Sequence, residues 1–271
     1  MRELTIGKND AGQRLDRFLS KALPLLPPAL AQKYIRIKRV KVNGGRAQRD
    51  QRLSAGDVLQ LYINDEFFDK PSEENLFLTL FKPHLTVVYE DEHLLLADKP
   101  QGMVVHADET EKVNTLINHI QAYLYQKREW NPKWENAFTP ALCNRIDRNT
   151  GGIVIAAKDA ETLRVINEKI RDRELDKRYL CITAGRPKKP EGRVECFLLK
   201  DEKKKQMSVY HKPIPGGKTA ITDYKVLETR GELSLVEIGL ETGRTHQIRA
   251  TMADLDCPLL GDGKYGRGDV N

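Results

Sequence analysis

Asn144-Arg145-Ile146-Asp147-Arg148-Asn149-Thr150-Gly151-Gly152 runs without a break into Ile153-Val154-Ile155-Ala156-Ala157. A polar, turn-rich stretch feeding a short apolar run is a loop entering a buried strand. Asp159 follows as a helix cap, and Leu163, Ile166 and Ile170 make one apolar stripe at helical spacing. Lys177-Arg178-Tyr179-Leu180-Cys181-Ile182 then returns as a strand. Upstream, Val87-Val88-Tyr89 and Leu94-Leu95-Leu96-Ala97 read as strands around an acidic turn, and downstream Leu233 to Ile238 adds another. Strands and helices alternate here with strand-rich stretches, and the body is expected to be α+β.

Asp147 stands between two arginines at the mouth of that strand, and the adjacent glycines would let a ligand backbone come close. The residues alone support two readings: a structural Arg–Asp pair bracing a tight turn, or a carboxylate aimed at a substrate. Tyr179 is equally open, as a packed aromatic or as a platform on which a base stacks. A third polar stretch, Glu241-Thr242-Gly243-Arg244-Thr245-His246-Gln247-Ile248-Arg249, is either an anion-binding surface or a solvated helix start capped by Thr242.

Charge divides the chain. Residues 1–63 hold 13 Lys and Arg against 5 Asp and Glu, a net of +8, whereas the whole chain of 271 residues carries only +6. The positive excess therefore sits in the first quarter, as in a nucleic-acid-binding module attached to a different body. Asn64 to Asn75 is acidic and broken by Pro71, and the expected division is 1–63, a linker over 64–76, and a body over 77–271. Hydrophobic residues at 39% with charged residues at 31% exclude wholesale disorder. No apolar run approaches the ~18 residues of a membrane span, and the chain is expected to be a cytoplasmic monomer with no membrane partner.

The four cysteines and six histidines show no metal-ligand spacing, so no metal is expected. Gly216-Gly217-Lys218-Thr219 imitates the end of a phosphate-binding loop, but Lys212 stands where that motif needs glycine, and prolines 213 and 215 fill the gap. No nucleotide or other cofactor is expected.

Within the basic segment, Arg14-Leu15-Asp16-Arg17-Phe18-Leu19 and Leu30 to Ile37 predict two short helices. Val40-Lys41-Val42 running into Asn43-Gly44 predicts a hairpin, and Val58 to Ile63 a closing strand. Lys33, Arg36, Lys38, Arg39 and Lys41 cluster where the second helix meets the first strand. This order, with Leu53-x-x-Gly56-Asp57-Val58, resembles the S4-type RNA-binding domain over about residues 14–63. The resemblance implies that these five residues grip RNA through its phosphates, by shape more than by base edges.

Asp98-Lys99-Pro100-x-Gly102, then Asn144-Arg145-Ile146-Asp147-x-x-Thr150-x-Gly152, then Lys177-x-Tyr179, then Thr242 to Arg249, in this order behind an S4-type domain, resemble the RluA-type family of RNA pseudouridine synthases. The resemblance implies a catalytic domain on a mixed, largely antiparallel sheet. It implies that Asp147 is catalytic, that Tyr179 stacks on the target uracil and serves proton transfer from its carbon five, and that Arg244 pairs with Asp147. Arg145, Thr150, His246, Arg249 and Lys264 are expected to contact the substrate.

The partner implied is RNA, with 23S ribosomal RNA ahead of transfer RNA; the competing reading is a noncatalytic S4-type RNA-binding or ribosome-assembly factor. The sequence departs from the family pattern at Asn144, where histidine is common, at Ile146 in place of leucine, and at Thr251, often histidine. Relatives continue through a further strand or two beyond Gly266, so a truncated chain is expected.

Overall fold

The computed structural model describes residues 1–68, 72–203 and 205–266. Chain contacts group Met1–Glu168 and Lys169–Asn271 into two compact units. The first opens with β1 (Arg2–Thr5), α1 (Leu15–Ala22), α2 (Pro28–Arg36), β2 (Val40–Val42), β3 (Gly45–Arg46) and β4 (Val58–Leu61), with an antiparallel sheet ordered β1-β4-β2-β3. Leu15, Phe18, Leu19 and Ala22 give α1 one apolar face, which is buried with Val40, Leu59 and Leu61 in a single core. α2 starts two residues before the expected Leu30, because proline at the first helical position loses no intrahelical bond and arrives with its φ preset. It stops at Lys38, left-handed at φ 63°, where the amides of Lys38 and Arg39 return to the carbonyls of Ile35 and Tyr34. Asn43 and Gly44, at φ 50° and 74°, make the expected hairpin turn.

The expected linker over 64–76 carries short 3-10 turns at Asp65–Phe68 and Ser72–Thr79. Phe67 and Phe68 pack on the N-terminal core. Just beyond the linker, Phe77 is buried against Trp130, ring centroids 5.2 Å apart. Asp69, Lys70 and Pro71 of that linker lie outside the described residues, as do residues 267–271.

The same unit continues with β5 (Thr86–Glu90), β6 (Leu94–Lys99), α3 (Leu116–Gln126), β7 (Ala141–Leu142) and β8 (Gly152–Ala157), in a sheet ordered β5-β6-β8-β7, and the division between the units falls within the next helix, α4 (Ala160–Arg171). β6 and β8 are antiparallel with Lys99 opposite Gly152, so the loop leaving β6 and the Asp147 loop entering β8 emerge side by side at one end of the sheet. Asp159 caps α4 as expected, its carboxylate accepting the Thr162 amide at 2.8 Å. The Leu163, Ile166 and Ile170 stripe is half-buried.

Glu90 ties β5 to α3 and to the end of β8. It accepts from the Tyr123 hydroxyl at 2.8 Å, Lys127 at 2.8 Å and Lys158 at 3.1 Å. Burial pushes the Glu90 carboxyl up, but the bonds from Lys127, Tyr123 and Lys158 outweigh it and hold the pKa at about 2. A carboxyl held below its unfolded value stabilises the fold fully above the unfolded range, near about 4.3, and loses that contribution as pH falls toward about 2. Glu90→Gln is therefore expected to destabilise by about 1–3 kcal/mol at neutral pH. The gap to wild type should close through that acid window, as urea titrations at several pH values would show; a gap independent of pH would mean that the charge contributes nothing.

The second unit contains β9 (Arg178–Ala184), β10 (Glu191–Asp201), β11 (Gln206–Tyr210), β12 (Lys218–Arg230), β13 (Leu233–Leu240) and α5 (Gln247–Asp254), in a sheet ordered β11-β10-β12-β13-β9. Val236, Ile238, Met252 and Cys257 are buried at its centre. Among the described residues the sheet expected for the body is present as two sheets, one in each unit, with every strand pairing antiparallel; a parallel contact, Val104 with Thr115, is an isolated bridge. The architecture is α+β, and no helix among the described residues is long and apolar enough to cross a membrane.

Candidate functional site

Two donors fasten the Asp147 loop at one backbone oxygen. The carbonyl of Arg148 accepts both the Lys99 ammonium at 3.0 Å and the Gly102 amide at 2.9 Å. Lys99 is fully buried and gives its remaining protons to the carbonyls of Pro100 at 2.9 Å and Met103 at 2.8 Å. Three donors meet three acceptors, so the charged group is satisfied without a direct ion pair. Burial pushes the Lys99 ammonium down and the nearby Asp147 carboxylate pulls it back up. Lys99 is thus both the staple of the loop and an electrostatic neighbour of Asp147, a role that its place in Asp98-Lys99-Pro100 did not disclose.

Around that staple, the side chains of the loop are sorted by burial. Ile146 packs on the core, Asp147 and Thr150 are half-buried, and Arg145 is exposed. The Thr150 amide closes the turn on the Asp147 carbonyl at 3.1 Å. Asn144 mimics a strand, accepting from the Ile155 amide at 2.8 Å and donating to the Ile153 carbonyl at 3.3 Å.

Arg148 corrects the expectation of a carboxylate held between two arginines. Its guanidinium turns to Asp108 at 2.9 Å and to the Thr110 hydroxyl at 2.7 Å. Bonds from Thr110, and then from Arg148, hold the Asp108 carboxyl far below the ordinary range. Arg148 therefore braces the 108–111 turn.

In the second unit Tyr179 lies on β9 opposite Ile238, its ring half-buried against the core. Arg244 follows β13 in a loop built around Gln247, whose buried amide uses all four of its bonds. Its oxygen accepts from the Thr242 hydroxyl at 2.9 Å and the Arg244 amide at 3.0 Å, and its nitrogen donates to the Ile221 carbonyl and the Thr222 hydroxyl. Arg244 itself sends Nε to the Thr219 carbonyl at 2.9 Å. His246 is left-handed at φ 53° and contacts the Tyr265 hydroxyl at 3.0 Å.

Arg249 makes a two-pronged pair with the buried Asp262, 2.7 Å on each arm, and Asp262 also accepts the amides of Lys264 and Tyr265. Arg249 thus braces this corner of the unit. The Lys264 backbone is held there too, while its exposed ammonium donates to the Lys205 carbonyl at 3.3 Å.

Lys33, Arg36, Lys38 and Arg39 are exposed and Lys41 is half-exposed, and none is bonded to a carboxylate among the described residues. Arg39 lies over the Tyr34 ring at 5.3 Å and Lys41 over Tyr62 at 5.5 Å, so cations and an exposed aromatic share one face. Replacing the five together by glutamine is expected to weaken RNA binding and to flatten its salt dependence by about 0.7–0.9 in log–log slope for each phosphate that is no longer neutralised. Titrating labelled RNA across a KCl series checks this; equal slopes would remove the face from the interface.

No group of three or more His, Cys, Asp or Glu positioned to hold a metal occurs among the described residues. The model of the RNA pseudouridylate synthase family matches residues 93–254, and that of the S4 domain residues 13–59. The chain is 31% identical to the uncharacterized RNA pseudouridine synthase MG370 of Mycoplasma genitalium, over 96% of this chain and 80% of that one. It is 32% identical to ribosomal large subunit pseudouridine synthase C of Rickettsia prowazekii, covering 95% and 83%. To ribosomal large subunit pseudouridine synthase D of Borreliella burgdorferi it is 31% identical, covering 99% and 79%. Among solved structures, human RNA pseudouridylate synthase domain containing 4 superposes with a TM-score of 0.56 at 25% identity, covering 73% and 74% of the two chains.

Proposed function

Because the chain belongs to the RNA pseudouridylate synthase family, we propose that it isomerises uridines of large-subunit ribosomal RNA, with Asp147 as the reacting carboxylate. The observation that carries this assignment is the fastening of the Asp147 loop at the Arg148 carbonyl, which presets the backbone on either side of one half-buried carboxylate. The S4 domain and the names of the synthase C and D relatives support ribosomal RNA as the substrate.

The reaction asks little acid–base machinery of the protein. The bond from the ribose to N1 of uracil breaks, the ring turns, the same ribose carbon bonds to carbon five, a proton leaves carbon five and N1 gains one. No water is consumed and nothing is oxidised. Hydrolytic glycosidases need a second carboxylate to protonate the leaving group or activate water, whereas uracil leaves as a stabilised anion. One carboxylate acting at the ribose, Asp147, therefore suffices. In this reading Tyr179 carries the flipped uracil on its ring and takes the carbon-five proton, and Arg244 pairs with Asp147.

Transcripts of ribosomal RNA labelled with tritium at carbon five of uridine provide the test. Purified protein is expected to release tritium and leave pseudouridine at discrete positions. Release from transfer RNA but not from ribosomal RNA would move the substrate, and release from neither would overturn the reading.

A further inference from the structure

Lys177 sits at the start of β9 beside the Arg244 loop, its carbonyl accepting the Leu240 amide at 3.0 Å. Burial pushes its half-buried ammonium down, and the exposed cations of Arg173 and Arg244 push it further the same way. The carboxylates near them are already engaged. Glu241 is shared by Arg173, at 3.1 Å, and Arg193, while Glu237 is taken by Arg178 at 3.0 Å. Among the described residues neither Lys177 nor Arg244 is bonded to a carboxylate.

A half-buried ammonium without a carboxylate partner is costly, and an anionic ligand relieves that cost. Gly243 points the same way. Its φ lies outside the left-handed region, so the backbone does not demand glycine there; the nearest neighbour of an added Cβ would be the Lys177 ammonium at 4.0 Å. A side chain at this position would narrow the approach to that ammonium.

We propose that Lys177, reached over Gly243, is the seat for a backbone phosphate of the RNA at the flipped nucleotide. Arg244 contributes charge from the flank. The inference rests on the RNA-isomerising reading above and names the part of the substrate that this corner holds. A phosphodiester suits the place because it offers one delocalised negative charge to a compact ammonium without requiring a planar fork.

The tritium-release assay on ribosomal RNA transcripts, run with the full chain across a KCl series, tests it. Lys177→Met is expected to raise KM about tenfold, the usual scale for losing one charge-assisted bond. It should also flatten the salt dependence of kcat/KM by about 0.7–0.9 in log–log slope, and Lys177→Arg should restore the slope. A merely structural lysine would change activity without changing the salt slope, so an unaltered slope with an active variant overturns the proposal. Gly243→Val keeps both charges and fills the approach; it is expected to raise KM at an unchanged melting temperature. If Lys177→Met fails to fold, an unchanged KM in Gly243→Val overturns the proposal in its place. Wild-type protein that releases no tritium would instead overturn the functional reading beneath it.

Discussion

Asp147→Asn is expected to abolish pseudouridine formation, by several orders of magnitude, while RNA affinity stays within a few-fold of wild type. The substitution removes the charge and the nucleophilic or basic oxygen but keeps the shape of the side chain. The backbone bonds of the loop are kept: Lys99 and Gly102 on the Arg148 carbonyl, and the Thr150 amide on the Asp147 carbonyl. Lys99 would lose an electrostatic neighbour yet keep its three carbonyl acceptors. Tritium release measured beside an RNA-binding titration separates the two effects. Turnover near wild type would sink the assignment of Asp147, and a parallel collapse of binding and melting temperature would show that the carboxylate is structural.

The sequence disclosed those parts of the fold whose signals are local. The Asp159 cap, the Asn43-Gly44 hairpin and the apolar face of α1 each depend on residues within one or two turns of one another, and each is where the spacing placed it. β1 escaped because Arg2, Glu3 and Thr5 are exposed on an edge strand, and its partner β4 lies more than fifty residues away.

The same distinction governs the site. Asp147, Tyr179 and Arg244 are marked by their motifs, but what holds them is not. The Lys99 staple joins carbonyls from residues 100, 103 and 148, and the Gln247 amide gathers partners from residues 221, 222, 242 and 244. Such networks follow from tertiary register, as when β6 sets Lys99 opposite Gly152, and no local period announces them. Arg148 and Arg249 behave likewise. Both sit in polar motifs, and the sequence does not show that their guanidinium groups bond carboxylates of their own unit, Asp108 and Asp262.

Tyr179→Phe is expected to leave RNA binding nearly intact and to stop the reaction at a late step. The ring is anchored independently of its hydroxyl: β9 holds Tyr179 opposite Ile238, with the ring half-buried against the core of the second unit. Phenylalanine should keep that seat and with it the stacking face, worth about 1–3 kcal/mol for a base on an aromatic ring. What it loses is the oxygen assigned to the carbon-five proton after the new carbon–carbon bond has formed. The expected signature is an unchanged KM with a large fall in kcat, since an interaction made only along the reaction path has been removed. RNA carrying fluorine at carbon five tests the same step from the substrate side. Fluorine cannot leave as a proton does, so rearranged material that has kept its carbon-five substituent should accumulate on the wild-type enzyme. If Tyr179→Phe turns over at the wild-type rate, the hydroxyl takes no part, and the proton must leave to water or to another side chain while the ring serves for stacking alone.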